Sequence, residues 1–251
     1  MEFLVSFLSI YSRGTAMISM PSDVAFLQAT IFTPNSQVAG QHLLRLLPDA
    51  WLQLFTGEPV LLPRHPQAPP EVPFLLLRDS TEDWSLQVSA ARVDIKRTIK
   101  TRNASSPTKD FFSRAARLFT EFKSITDVKV GRLAAVVHRF ALCEDSGIEL
   151  ARQFCKPECI ENGPFNRPQT IELHAHKRYK TRLGIDVNSW VRNKTASLAE
   201  SGEPIVVVEQ DINTFPEALL TADMDDTAIC RFFESVVDEF DITLARYYPN
   251  A

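Results

Sequence analysis

Two short basic strings carry the residues of this chain best suited to chemistry. Lys96-Arg97-Thr98-Ile99-Lys100-Thr101-Arg102 is echoed by Lys177-Arg178-Tyr179-Lys180-Thr181-Arg182. The candidate anion- or partner-binding residues are therefore Lys96, Arg97, Lys100, Arg102, Lys177, Arg178, Lys180 and Arg182. Cations at this density, with Tyr179 and Trp190 near, can hold phosphates or an acidic partner. The plainer reading is a solvated strand edge guarded by lysines. Each string falls late on a segment of alternating polarity, so the two are expected in equivalent places.

Three further groups invite chemistry and lack parts of it. Asp223-Met224-Asp225-Asp226-Thr227 imitates the aspartate-x-aspartate-x-threonine string of haloacid-dehalogenase-type phosphatases. That chemistry needs a strand directly before the string and a long α/β domain after it. Here Phe215-Pro216-Glu217 interrupts the approach, and a helix cap explains the aspartates. Cys155 and Cys159 with His174 and His176 make four potential zinc ligands, but the cysteine spacing is unusual and Pro157 lies inside it. Glu209 and Asp211 sit two apart on a strand and could chelate a cation with Asp186. No Lys stands two positions after Glu209, so a nuclease reading lacks a part. No nucleophile elbow, phosphate loop or metalloprotease string occurs. The chain's 8 glycines leave little material for phosphate-cradling loops. No catalytic residue, metal site or cofactor is expected.

The elements that would position these residues follow from periodicity. Pro204 to Gln210 is an unbroken β-branched run suited to a central strand. Asp225 or Asp226 then starts a helix carrying Ile229, Phe232, Phe233, Val236, Val237, Phe240 and Leu244 at helical spacing. Val24 to Phe32 reads as a strand. Asn35 or Ser36 caps a helix stopped before Pro48. A proline-bearing loop spans 57–73. Phe74 to Arg78 is a strand, and Trp84 to Ile99 is one more with a bulge near Ser89 and Ala90. A helix runs from Asp110 to Phe122. Val128 to Leu142 holds a strand, Gly147 to Phe154 a helix, and Thr170–Thr181 and Leu183–Thr195 alternate as strands.

Laid side by side, the halves share one order. The expected fold is α+β, with two related halves of strand, helix, antiparallel strands and helix, in curved antiparallel sheets packed by helices. Residues 1–21 are an N-terminal extension, 22–123 the first half, and 124–251 the second half with one extra strand and a long C-terminal helix.

The layout also resembles a sporadically distributed bacterial family of this length, conserved proteins of unknown function. The likeness lies in the opening strand and helix, Val136-Val137-His138-Arg139-Phe140, Val206-Val207-Val208-Glu209-Gln210-Asp211-Ile212, and Phe240-Asp241-Ile242-Thr243-Leu244. It implies a bacterial cytoplasmic protein and brings no catalytic residues with it.

Composition bounds the rest. The chain has 251 residues, 45% hydrophobic and 23% charged, the balance of a globular protein. The net charge of -4 argues against a nucleic-acid coat protein. It hides an asymmetry: residues 92–140 hold twelve Lys or Arg against four acids, and 199–241 hold twelve acids against Arg231 alone. Four cysteines in so long a chain do not make a disulfide framework, so reduced thiols are expected. The apolar start around Phe3–Ile10 is too short to span a bilayer, and Glu2 is wrong for a signal peptide. The expected function is a non-enzymatic macromolecule-binding or adaptor protein in the cytoplasm, away from membranes, with another protein as partner. The alternatives are a nucleic-acid-binding protein using the two basic strings and an enzyme with a dispersed acidic and histidine site. Self-association is a further expectation.

Overall fold

The computed structural model describes residues 18–34, 36, 38–63, 65, 67–100 and 107–249. Strand β1 (Asp23–Phe32) alternates, burying Leu27, Ala29 and Ile31 completely on one side. Two short helices follow, α1 (Gly40–Leu46) and α2 (Asp49–Leu54). Next come β2 (Val60–Leu61), β3 (Leu75–Arg78), β4 (Trp84–Val88), β5 (Arg92–Thr98) and the long helix α3 (Thr108–Thr126). The order then repeats: β6 (Arg132–Leu142), α4 (Ser146–Phe154), α5 (Pro157–Glu161), β7 (Glu172–Lys180), β8 (Asp186–Ser197), β9 (Pro204–Thr214) and α6 (Asp226–Tyr247). All strands join one antiparallel nine-stranded sheet, ordered β2-β3-β4-β5-β1-β6-β9-β8-β7. With β2 set aside, this order reads as a palindrome about the β1–β6 pair. It matches β1 with β6, β3 with β7, β4 with β8, and β5 with β9. The fold is α+β, and its halves share a single sheet.

Several local expectations are corrected. The bulge near Ser89 is a hairpin: Val88 pairs with Val93, and the Ser89 N–H donates to Arg92 O at 2.9 Å. The Ser89 hydroxyl accepts from the N–H groups of Ala91 and Arg92, at 3.2 and 3.0 Å. This side chain closes a turn without Gly, Asn or Pro, so the usual turn signals are missing. Splitting that segment into two strands removes the extra strand assigned to the second half. Helix α1 begins at Gly40, not at residue 35 or 36. The Ser36 N–H instead lies 3.3 Å from Thr33 O and 3.2 Å from Ala90 O, in the preceding turn. Asn35 and Arg102 lie outside the described residues, as do residues 1–17 of the proposed extension. Pro48 stops α1 and then serves as the N-cap residue of α2, a helix the periodicity did not disclose. Helix α3 runs on to Thr126 and closes with Asp127 at φ 51.

The helices cover one face of the sheet. Leu27, Ile31, Val93, Ile95, Leu133 and Val137 point to that side and meet Phe111, Phe112, Phe119, Phe232, Phe233 and Phe240. Phe112 stacks on Phe233 and Phe240 with ring centres 5.9 and 5.8 Å apart, locking α3 to α6. Polar ties fix the registry. Arg139 donates to Asp241 Oδ1 at 2.6 Å, Gln210 to Phe240 O at 2.8 Å, and Tyr248 to Asn193 at 2.9 Å. Trp51 of α2 donates to Glu121 of α3 at 2.6 Å. A Cβ at Gly131 would meet Leu219 O at 1.9 Å, so a residue without a side chain is required where the segment before α6 passes under β6. Among the described residues no helix is long and apolar enough to cross a membrane.

Phe240 is fully buried, so Phe240→Ala should cost about 3–5 kcal/mol in a denaturant titration. Truncation before Asp226 should leave no soluble folded chain. A truncated variant as stable as the parent would overturn this account of α6.

Candidate functional site

Alternation along the strands sends the other side chains to a face without helices. Pairing sets them in rows across the sheet. One row runs Phe26, His138, Glu209, Arg192 and His174; its neighbour runs Lys96, Gln28, Val136, Asp211, Trp190 and His176. An antiparallel sheet can expose one face in this way, provided that face is polar or amphipathic.

Glu209 lies at the centre of the charged row. Lys194 Nζ contacts its Oε1, and Arg192 Nη1 lies 3.6 Å from its Oε2. Burial pushes the Glu209 carboxyl up, but Lys194, His138 and Arg192 outweigh this and hold it below the usual range. Burial pushes the His138 imidazole down, and the Glu209 charge only partly offsets it. The Phe26 ring packs against it at 5.0 Å. Burial raises the Asp211 carboxyl despite the 2.9 Å bond from Asn213 and the nearby Arg132. Arg132 donates to Asn213 Oδ1 at 2.7 Å and lies 4.8 Å above the Phe32 ring. His176 and Trp190 stack at 4.2 Å and 16°. Further along, Thr30 donates to Asp94 at 2.7 Å, and Arg92 pairs with Asp94 at 3.1 Å.

Beside this row opens a cleft of about 680 Å³. Phe140, Val207, Ile205 and Leu198 give it apolar walls, His138, Lys194 and Glu209 give it polar groups, and the β8–β9 loop forms one side. A cleft of this size, with apolar walls and a charged rim that includes Lys100, Glu200 and Glu203, suits an apolar group carrying a polar end.

The two basic strings are not brought together. Alternation divides each between opposite sides of its strand. Lys96 faces the open side and donates to Gln87 at 2.9 Å, while Arg97 lies over the Trp84 ring at 5.1 Å. Lys100 pairs with Asp83 at 3.0 Å. In the second string Lys177 sits 4.7 Å above the Tyr179 ring; burial lowers its pKa, with Arg246 adding to the effect. Arg178 pairs with Glu217 at 3.0 Å and Lys180 with Asp186 at 2.6 Å. Arg182 follows the strand, and its backbone N–H donates to Glu239 at 3.1 Å. β5 is interior and β7 is the outermost strand, five positions away or roughly 24 Å. The palindrome pairs β5 with β9, so the expectation of equivalent places is corrected. The shared wording of the strings does not follow the repeat.

The remaining candidates resolve locally. Asp225 accepts from Ala228 N at 2.7 Å and caps α6. Asp223 accepts from Lys123 at 2.8 Å. His174 and His176 share the open side of β7, with His174 held by Glu172 at 2.7 Å. The cysteines are free. Asp186, tied to Lys180, does not join Glu209 and Asp211. Among the described residues no three His, Cys, Asp or Glu gather to hold a metal. His138, Arg192 and Lys194 are the members of this face that sequence reasoning missed. Their signal was parity: each stands an even number of positions from another polar or aromatic residue on its strand.

No protein-family model matches the chain. No curated protein matches it. Among solved structures, the di-domain ARO/CYC StfQ from the steffimycin biosynthetic pathway aligns over 88% of this chain and 96% of its own, at 12% identity and a TM-score of 0.20.

Folding holds the His138 imidazole below its ordinary pKa, so the unfolded chain binds the extra proton first. Stability should therefore fall as pH drops below about 6.5. A His138→Gln variant should lose less melting temperature than the parent between about pH 7 and about pH 5.5. Equal losses in the two proteins would contradict the assignment.

Proposed function

We propose that this chain is a non-enzymatic protein that binds another macromolecule through the open face of its sheet. In this reading the cleft beside His138 receives an apolar side chain of the partner. The observation that carries it is the pairing of an open nine-stranded face with an amphipathic cleft in that face. The stacked His176–Trp190 pair offers a rigid aromatic platform, and Arg192 lies in the adjoining row; Trp and Arg are favoured anchors of protein interfaces. The sparse cysteines, and the resemblance of the layout to a bacterial family, support action in a bacterial cytoplasm. The nucleic-acid reading draws less support, because the strings lie on separate strands and most of their cations meet carboxylates or rings.

The test compares capture from a host extract by the parent, by Trp190→Ala with Arg192→Ala, and by Arg114→Glu on the helix side. Melting temperatures establish that each protein is folded. The expected result is one defined protein captured by the parent and the Arg114 variant and lost with the open-face variant. Capture unaffected by the open-face change overturns this reading. Retention of DNA or RNA that weakens steeply with salt would favour the nucleic-acid alternative.

A further inference from the structure

The two edges of the sheet are finished differently. At one end the outermost strand of the first half, β3, is covered by β2. That cover is two residues long and stands between Pro59 and Pro63, which have no N–H to offer. Such an edge is blunted. Its counterpart β7 has no cover among the described residues and runs for nine residues.

The ladder fixes which backbone groups β7 leaves outward. Thr195 N–H donates to Ile171 O at 3.2 Å, and Thr181 N–H donates to Ile185 O at 2.9 Å. With Glu172 opposite Lys194 and Lys180 opposite Asp186, the odd-numbered residues bond to β8. The N–H and C=O groups of Glu172, His174, His176, Arg178 and Lys180 therefore point away from the sheet. These same five residues are the exposed positions of the strand.

The two ends of this edge, Glu172 and Lys180, are complementary in charge when the strand is reversed. We propose that two copies of the chain associate by antiparallel pairing of their β7 strands, with His176 opposite His176 of the second copy. In that register Glu172 faces Lys180 at both ends. His174, already tied to Glu172, faces Arg178. On the helix side Leu173 meets Tyr179. Every pair of even-numbered residues is then of the hydrogen-bonded kind, and the two sheets become one. Lys180 thus meets its opposite at each end of the edge, and Arg178 faces a histidine already bonded to Glu172. A strand presented antiparallel to itself closes as a dimer and leaves no second edge to propagate, because β2 ends the sheet at the far side. This association goes beyond the open-face reading and stands without it.

Sedimentation velocity over a concentration series at low salt tests it, with three variants. The parent should be a dimer. His176→Pro removes an outward N–H that the ladder to β8 does not use, so it should sediment as a monomer, with a melting temperature lowered only by the lost stack on Trp190. Lys180→Glu should weaken the dimer at least about tenfold, through two like-charge contacts related by symmetry. Glu172→Lys combined with Lys180→Glu restores both contacts in this register and should restore the dimer. If His176→Pro fails to fold, the charge swap decides. A parent that stays monomeric to about 100 μM overturns the proposal, since association weaker than about 5.5 kcal/mol is no assembly. So does a swap that fails to rescue.

Discussion

The pairing of β1 with β6 is the contact on which the structure depends. These are the opening strands of the two halves, more than a hundred residues apart, and they pair from Asp23–Phe140 to Phe32–Arg132. Their union sets the following meanders on opposite flanks and brings α3 and α6 side by side. Neither helix could cover its apolar face on half a sheet alone. Phe112 reaches both Phe233 and Phe240, so the interior crosses the boundary between halves without a seam. Residues from both halves belong to one cluster, which makes a single cooperative unit the natural outcome.

The two sides of this sheet solve different problems. The helix side excludes water with phenylalanine and aliphatic groups. The other side holds polar side chains at positions nearly as enclosed, such as Thr30, Asp94, Asn188 and Asn213, and bonds Thr30 to Asp94 and Asn188 to Asn213. Glu209 is held ionised by two cations, while Asp211, one row away and without a contacting cation, is pushed toward its neutral form. Two carboxylates two residues apart thus differ in character because their neighbours differ.

Much of the fold was legible because its signals are periodic. The β-branched run at 205–208 and the apolar stripe of α6 both answer to burial, although in the strand Val206 and Val208 face the helices while Ile205 and Val207 line the cleft. The shared order of the halves was likewise visible from element types alone. The hairpin at Ser89 was not, since a serine hydroxyl does the work usually assigned to glycine or asparagine. Nor was α2, whose six residues are too few for a helical period to emerge. The open face was hidden for another reason. His138 lies inside a run that reads as buried, and only the register of three strands reveals that Glu209, Arg192 and Lys194 stand around it. The basic strings drew notice by sequence density, yet density along a strand is divided in two by the pleat.

The palindromic strand order has an implication for how the two halves could differ. A chain of half this length could build the same sheet by joining its opening strand to that of an identical copy. In such an assembly every change would occur twice, once on each side of the axis. Carrying both halves in one chain removes that obligation. Each flank can then acquire its own ending, and here one is sealed by β2 with its prolines while the other is left as bare strand. The asymmetry of the edges is a freedom that only the covalent joining of the two units permits.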